Sequence, residues 1–312
     1  MRRFAPLIAL ILFACAGSGP LREQRRTGEP IELVDTPFYA QDAKDGAPAA
    51  LATVLAASGA ADIRTSQLGR QIGDPDGAEA MQAAITKVAR EHGRVPYPVR
   101  DLAGLLRAID SGQPVLVAQA GGMFSSTPHY VVLFGYDPDH DQMMLRSGKT
   151  RRDNAGSGDF MDAWKSAKNW AIVAAVPDTI PVGADMKAWL DAAMPLEKVR
   201  PALAAEAYSA ATRRWPQSGE PWERLGAARR LQDDVDGAEE AYRSALALTP
   251  AASTYNALAL VLLEEGCTVA ADRAVDQGFR QPDAQQARDD LVKTRAQIAA
   301  RNGASAPGCP NS

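Results

Sequence analysis

The carboxy-terminal part of the chain repeats with a period of 34 residues. Two sets of small, aromatic and proline residues are related by this shift: Ala204, Tyr208, Ala211 and Pro216 in the first, and Ala238, Tyr242, Ala245 and Pro250 in the second. A third unit follows one residue out of register, from Tyr255 to Gly278. One such unit buries too little apolar surface alone, and about three stacked units are needed for stability. The period therefore predicts stacked helix pairs over residues 185–300.

The spacing of the repeat is similar to that of the tetratricopeptide repeat. Trp222, Leu225 and Gly226 form its W-x2-L-G element, and the second set follows them along the chain. Small residues at these positions let paired helices approach each other, and the aromatic residues fill the remaining space. The resemblance implies an all-α tetratricopeptide-repeat domain with a concave face for a protein partner.

The preceding part of the chain, residues 33–180, shows helical patterns first and short apolar runs second. Pro48 suits the first turn of an apolar helix, Thr65 or Ser66 suits an N-cap, and Asp101 suits another. The runs bounded by turn residues are QPVLVAQA, HYVVLFGYD, QMMLRSG and NWAIVAAVP. They predict strands, and Ile31–Phe38 at the start of the domain predicts a strand or an extended entry. Helices followed by an antiparallel sheet give an α+β domain.

The segment QDAKDGAPAAL, which begins at Gln41, resembles the start of a cysteine-peptidase active site. Its pattern is similar to Q-x4-C-G-P-A-A-L in the papain-like peptidases that process double-glycine leader peptides, most closely a lipoprotein branch that adds tetratricopeptide repeats. The resemblance places Gln41 where that family has its oxyanion-stabilising glutamine. It places Gly46 where the family has its nucleophilic cysteine. The expected fold is thus an α+β papain-like peptidase domain followed by an all-α tetratricopeptide-repeat domain.

A second element, H-Y-V-V-x-x-G from His129, resembles the strand that carries the family's general base. By the same resemblance, the third member of the triad falls near LRSG, which offers Ser147 and no carboxylate. A serine orients an imidazole only weakly. The alternative interpretation makes His129 a hydrogen-bonded strand-end imidazole and Gln41 an ordinary loop amide.

The missing cysteine leads to two hypotheses about function. Covalent acyl transfer needs a nucleophile beside the base, and glycine has no side chain. The leading hypothesis is a catalytically inactive, peptidase-like protein that binds a peptide or protein partner. The competing hypothesis is an active hydrolase of the same family that uses an unrecognised nucleophile.

The amino terminus has the pattern of an export signal. Arg2 and Arg3 precede an apolar run that is too short to span a membrane. LFAC, ending at Cys15, resembles a bacterial lipobox, whose cysteine becomes the lipidated terminus. The alternative is ordinary cleavage after Ala14-Cys15-Ala16. Residues 1–16 are thus a signal segment and 17–32 a linker, and the protein is expected in the bacterial cell envelope, anchored on the periplasmic side by lipid only.

Composition limits the remaining functions. The net charge of −4 and the absence of a long basic run give little support for nucleic-acid binding. No cofactor or metal motif is present, and the oligomeric state stays open. Cys267 and Cys309 either form a disulfide, which would hold the tail (301–312) near a helix, or remain unpaired thiols. An oxidising compartment favours the disulfide.

Overall fold

The computed structural model describes residues 19–24, 28–40, 46–120, 128–301 and 309 of the 312-residue chain. The first part of the chain alternates helices and strands: α1 (Pro20–Gln24), β1 (Ile31–Glu32), α2 (Gly46–Ala57), α3 (Thr65–Ile72), α4 (Ala78–Glu91), β2 (Val95–Pro98), α5 (Leu102–Asp110), β3 (Val115–Gln119), β4 (His129–Asp137), β5 (Gln142–Ser147), β6 (Thr150–Gly156), α6 (Ser157–Ser166) and β7 (Ala171–Ala175). In the described residues, the second part is entirely helical: α7 (Met186–Ala193), α8 (Leu196–Val199), α9 (Pro201–Arg214), α10 (Glu220–Arg230), α11 (Val235–Leu248), α12 (Ala252–Glu264), α13 (Thr268–Phe279) and α14 (Ala284–Ala300).

The strands of the described residues form one antiparallel sheet. Its order is β2-β7-β3-β4-β5-β6, and β1 pairs with the carboxy-terminal end of β4. Neighbouring strands are consecutive in the chain only from β3 to β6. After β6 the chain therefore passes through α6 and returns to the sheet as β7, which lies between β2 and β3. The N-terminal part is thus an antiparallel sheet with helices, as the order of sequence signals predicts.

The two faces of the sheet bury different helices. Tyr130 and Val132 of β4 belong to an apolar cluster with α2, α3 and α4. Val131 and Leu133 belong to a second cluster on the opposite face, with α5, α6 and the first helices of the C-terminal part. This two-residue alternation is the expected geometry of a strand that is buried on both sides.

The helical part is continuous with the second cluster. Trp189 of α7 and Tyr208 of α9 are fully buried in the same core as the sheet residues. The Trp189 indole N–H donates to the Ala207 carbonyl at 3.0 Å. Arg200 donates to the Glu91 carbonyl at 2.8 Å, and thus joins the end of α8 to α4. The two parts therefore share one hydrophobic core at their junction.

Later helices pack mainly on their neighbours in sequence, and their apolar residues form a third cluster. Small residues set the close approaches. A Cβ at Gly226 would lie 2.9 Å from the Tyr242 ring, and one at Gly278 would lie 2.7 Å from Leu291. The aromatic positions of the repeat, Tyr208 and Tyr242, are both buried.

Several local predictions need correction. Thr65 is the first residue of α3, and Arg64 occupies the N-cap without a side-chain hydrogen bond, so the predicted Thr65 or Ser66 cap is wrong. The first strand extends only over Ile31–Glu32, because the chain turns at Val34 and Asp35. Asp101 does cap α5, since its carboxylate accepts from the Gly104 N–H at 2.6 Å. No described helix is both long enough and apolar enough for a membrane span.

Candidate functional site

Helix α2 begins at Gly46, the position that resembles the nucleophile site. Its buried face includes Ala47, Ala50 and Leu51, which pack in the same cluster as Tyr130 and Val132 of β4. Gly46 itself is half-buried. The start of a helix that packs against the central strand is a suitable place for an activated nucleophile. At this place the chain has no side chain.

His129 is the first residue of β4 and pairs with Gln119 at the end of β3. Its side chain is exposed, so its desolvation is only partial. That desolvation lowers the pKa of His129 below its ordinary value, while a hydrogen bond with the Gln119 backbone opposes the change. The imidazole is therefore neutral at pH 7, which is the form that a general base requires.

The pleat of β4 determines the position of His129 relative to α2. Tyr130, the next residue, faces α2 and stacks edge-on against Trp170 with ring centroids 5.8 Å apart. Residues that are two apart share a face, so His129 starts on the side of Val131, as does buried Gln119. His129 thus lies at the end of the sheet. To reach Gly46, its ring must pass around that end.

Ser147 is the last residue of β5 and follows Arg146, which pairs with Val132 of the α2 face. Together with Ala49, Ala50 and Thr53 of α2 it lines a small cavity of about 10 Å³. The end of this strand is therefore close to α2. No hydrogen bond joins Ser147 to His129 among the residues that the structure describes.

Arg146 is the prominent polar residue at this place, and sequence reasoning missed it. The side chain is only 6% exposed. Its guanidinium donates to the Thr36 carbonyl at 2.9 Å and to the Arg151 carbonyl, and lies 3.8 Å from the centroid of the Phe134 ring. Next to Ser147, where the resemblance expects an Asp or Asn to orient the base, the structure has a buried cation that binds the segment around Thr36. A single arginine in the otherwise apolar MMLRS run was the available signal.

Two predicted site residues lie outside the described residues, namely Gln41 and Cys15. Cys267 and Cys309 are joined by a disulfide, with their Cα atoms 5.4 Å apart. This bond belongs to the helical part, and Cys267 precedes α13. No group of three or more metal-ligating side chains occurs within the described ranges.

The start of α2, most of the antiparallel sheet and His129 at the head of β4 lie within one segment that a family model matches. Residues 33–172 match the Peptidase_C39 like family. The matched segment makes up less than half of the 312 residues, and the similarity to this family is confined to it.

Among solved structures, a putative C39-like peptidase from Bacillus anthracis is 18% identical, with a TM-score of 0.39. The match covers 47% of this chain and 97% of that one. Two crystal structures of MamA are 21% and 20% identical, with TM-scores of 0.31 and 0.30. Each covers 46% of this chain, and 90% and 81% of the matched chains. No curated protein sequence matches the chain.

Proposed function

We propose that this protein is a catalytically inactive relative of the C39-like peptidases that binds peptide or protein partners. The observation that carries the proposal is the glycine at the first position of α2, where the family resemblance places the nucleophile. The neutral imidazole of His129 and the sheet that supports it are retained. The region thus keeps the scaffold of a peptidase without the group that would form an acyl-enzyme.

The sulfur atoms of the chain cannot substitute for that group. The sequence has three cysteines. Cys267 and Cys309 are bonded to each other in the helical part, and Cys15 falls in the segment with the pattern of an export signal. An oxyanion-stabilising amide at Gln41 would only stabilise an intermediate that another group forms. In a serine peptidase such as subtilisin, loss of the nucleophile alone lowers turnover by a factor of about 10⁶.

We further assign the two parts as domains over residues 33–180 and 185–300, the second being tetratricopeptide repeats. The 34-residue period and the equivalent burial of Tyr208 and Tyr242 support the repeats. A degenerate groove in the first domain would take an extended peptide or a glycine-rich tail, and the repeat face would take a protein. Removal of the residues before Cys15 would leave this cysteine as the lipidated terminus, and the lipid would hold the scaffold at the cell envelope.

Restoring the thiol tests the proposal. Gly46→Cys should give a cysteine that reacts with iodoacetamide at pH 7 faster than a free thiol, because the start of a helix stabilises thiolate and the proposed groove would bring the His129 imidazole to it. Weak cleavage of peptides that contain Gly-Gly should accompany it. The matched control is Gly46→Cys combined with His129→Ala, which should return the thiol to ordinary reactivity. Cleavage by the natural protein that is lost on His129→Ala would overturn the proposal.

Binding needs its own measurement. Fluorescence anisotropy with a labelled peptide that ends in Gly-Gly should show saturable binding to the full chain. Gly46→Trp should block the start of α2 and weaken that binding by about tenfold or more. Equal binding by the natural protein and Gly46→Trp would place any peptide site elsewhere.

The second candidate function is an active hydrolase with another nucleophile. The neutral His129 favours it, because an imidazole in this form at the head of a central strand is ready to act as a base. An electrophilic peptide probe followed by mass spectrometry separates the two candidates. An adduct on a residue within 33–172 would support the enzyme, and an unlabelled domain would support the binding protein.

A further inference from the structure

A cavity of about 610 Å³ lies along β2, the outermost strand of the sheet. α4 and the start of α5 bound it on the sheet side, and residues 181–192, which lead into and form α7, bound the other side. This volume is within the range of about 300–1,000 Å³ that small-molecule and peptide-anchor sites occupy. The cavity exists because the helical part docks beside the sheet edge and leaves a cleft at the junction.

The strand that lines the cavity cannot accept another strand. Pro96 and Pro98 of β2 have no N–H, and a single residue, Tyr97, lies between them. Proline in a strand is tolerated where the missing donor would face away from the ladder. The free edge of β2 therefore offers carbonyl acceptors without a full set of donors. A ligand in this cavity is recognised by side chains and not by addition of a strand.

Three arginines from three different elements line the same cavity: Arg90 in α4, Arg100 after β2 and Arg107 in α5. Arg90 donates through Nε to the Ala192 carbonyl at 3.4 Å. Arg107 Nη2 lies 3.9 Å from an Asp101 oxygen, beyond hydrogen-bond distance. Arg100 forms no hydrogen bond or ion pair with any residue that the structure describes. Burial lowers the pKa of Arg90, yet an arginine remains charged in proteins.

The carboxylates in the cavity wall already have partners. Asp101 accepts from the Gly104 N–H at 2.6 Å, and Asp185 accepts from the Ala188 N–H at 2.9 Å; both cap helices. Asp191 pairs with Lys187 at 2.6 Å. The guanidinium groups are therefore the charged groups of this wall that have unused donors. Each presents a fork that matches the two oxygens of a carboxylate.

The remaining wall is apolar and aromatic. Trp170, Tyr97 and Val182 contribute to it, and Val182 is 63% exposed. An apolar group of a ligand would cover this surface, while its carboxylate would meet the arginines.

We propose that the cavity along β2 binds a carboxylate ligand that also carries an apolar group. Two sources have this chemistry: an acidic segment of a partner peptide and a small free carboxylate. The site is independent of the proposed function of the α2 start. β2 and β4 are separated by β7 and β3, so these two strands are about 14 Å apart across the sheet. Neither Gly46 nor His129 lines the cavity.

The test uses the full chain and a fluorescein-labelled peptide, Leu-Glu-Glu-Leu, with its Leu-Gln-Gln-Leu counterpart. The acidic peptide should bind at least tenfold more tightly, since a guanidinium forms stronger hydrogen bonds with a carboxylate than with a neutral amide. Phenylacetate and 4-phenylbutyrate, each a carboxylate with an apolar group, are added as competitors and distinguish the sources. Displacement by micromolar small acid assigns a free carboxylate, and displacement only at high millimolar concentration assigns a peptide.

Arg100→Gln should weaken binding of the acidic peptide by about tenfold, as should Arg107→Gln. Arg100 has no partner in the described fold, so this variant should keep the melting temperature of the natural protein. The matched control is Arg70→Gln, an exposed arginine of α3 that is not part of the cavity, which should leave binding unchanged. Equal affinity for the two peptides with no small-acid binding would overturn the proposal, as would equal binding by Arg100→Gln and Arg70→Gln. The Gly46→Trp variant should not change this binding, so failure here is separate from failure of the proposed function.

Discussion

The sheet part of the molecule and the helical part that follows it are held together by different patterns of contact. In the sheet, β2 pairs with β7 and β3 pairs with both β7 and β4, so residues far apart in the chain depend on one another. In the helical part, each helix packs chiefly on the next one. Damage in a stack of helices should therefore stay local, whereas damage to the shared core at the junction should reach both parts.

The largest expected effect comes from Trp189→Ala. Trp189 is fully buried in the cluster that contains residues of both parts, and its indole N–H bonds to Ala207. Removing this side chain should lower the free energy of unfolding by about 4 kcal/mol. Urea denaturation with region-resolved hydrogen exchange should show weaker protection in β2 and β7 as well as in α9.

The control for this prediction is Leu291→Ala, in the third cluster. It should cost about 3 kcal/mol, with the loss confined to α12–α14. Unchanged protection of the strands in Trp189→Ala would show that the two parts do not depend on a common core.

The disulfide gives the next largest effect. It closes a loop with a sequence separation of 42 residues, and the chain-entropy model gives a stabilisation of about 3–4 kcal/mol for such a loop. Cys309→Ser should lower the unfolding free energy of the last helices by about that amount while the strands stay protected. Reduction of the natural protein with dithiothreitol is the matched comparison. Loss of strand protection on reduction would contradict the local character of the helical part.

These two parts also differ in what their sequences reveal. The helical part follows from a period of 34 residues, because each unit makes the same contacts and therefore needs the same residues at the same places. Tyr208 and Tyr242 are buried as that pattern predicts. The four long apolar strands, β3, β4, β5 and β7, follow from runs that are bounded by turn residues.

Two strands have no such signal. β2 has the sequence VPYP, and its prolines argue against a strand unless it forms an edge, which is a property of the whole sheet. β6 has the sequence TRRDNAG and is mostly exposed, since it is the opposite edge. The candidate site shows the same limit. A motif placed Gly46, His129 and Ser147 on three elements, but the buried Arg146 depends on the segment around Thr36, which is 110 positions away in sequence.

Two glycines, one in each part, show the contrast between the two parts at the level of single residues. A Cβ at Gly226 in α10 would approach the buried Tyr242 ring to 2.9 Å, whereas one at Gly69 in α3 would meet only Pro48 at 3.6 Å. Gly226→Ala should therefore destabilise the helical part by about 1–2 kcal/mol, because overpacking outweighs the gain in helix propensity. Gly69→Ala should stabilise by up to about 1 kcal/mol. Thermal unfolding of the two variants tests this, and stabilisation by both would mean that the helices have room to separate.

The smallest expected effect is a dependence on pH confined to the helical part. Burial, together with a side-chain hydrogen bond to Glu239 and the charge of that residue, raises the pKa of Glu265 to about 7 from an ordinary 4.5. The folded state thus favours protonated Glu265. Its contribution is fully present below about pH 4.5 and is lost as the pH rises through about 7.

Glu265→Gln should remove this dependence. At pH 8 the variant should be more stable than the natural protein by about 1 kcal/mol, a value reduced for partial solvent screening, and at pH 4.5 the two should be nearly equal. Glu206→Gln, on an exposed position of α9, is the matched control and should leave the pH profile unchanged. Urea unfolding at pH 4.5, 6 and 8 gives the measurement. Equal stability of Glu265→Gln and the natural protein at pH 8 would mean that Glu239 and Glu265 separate when both are charged. If the helices separate in this way while the sheet keeps its register, the two parts differ in motion as well as in stability.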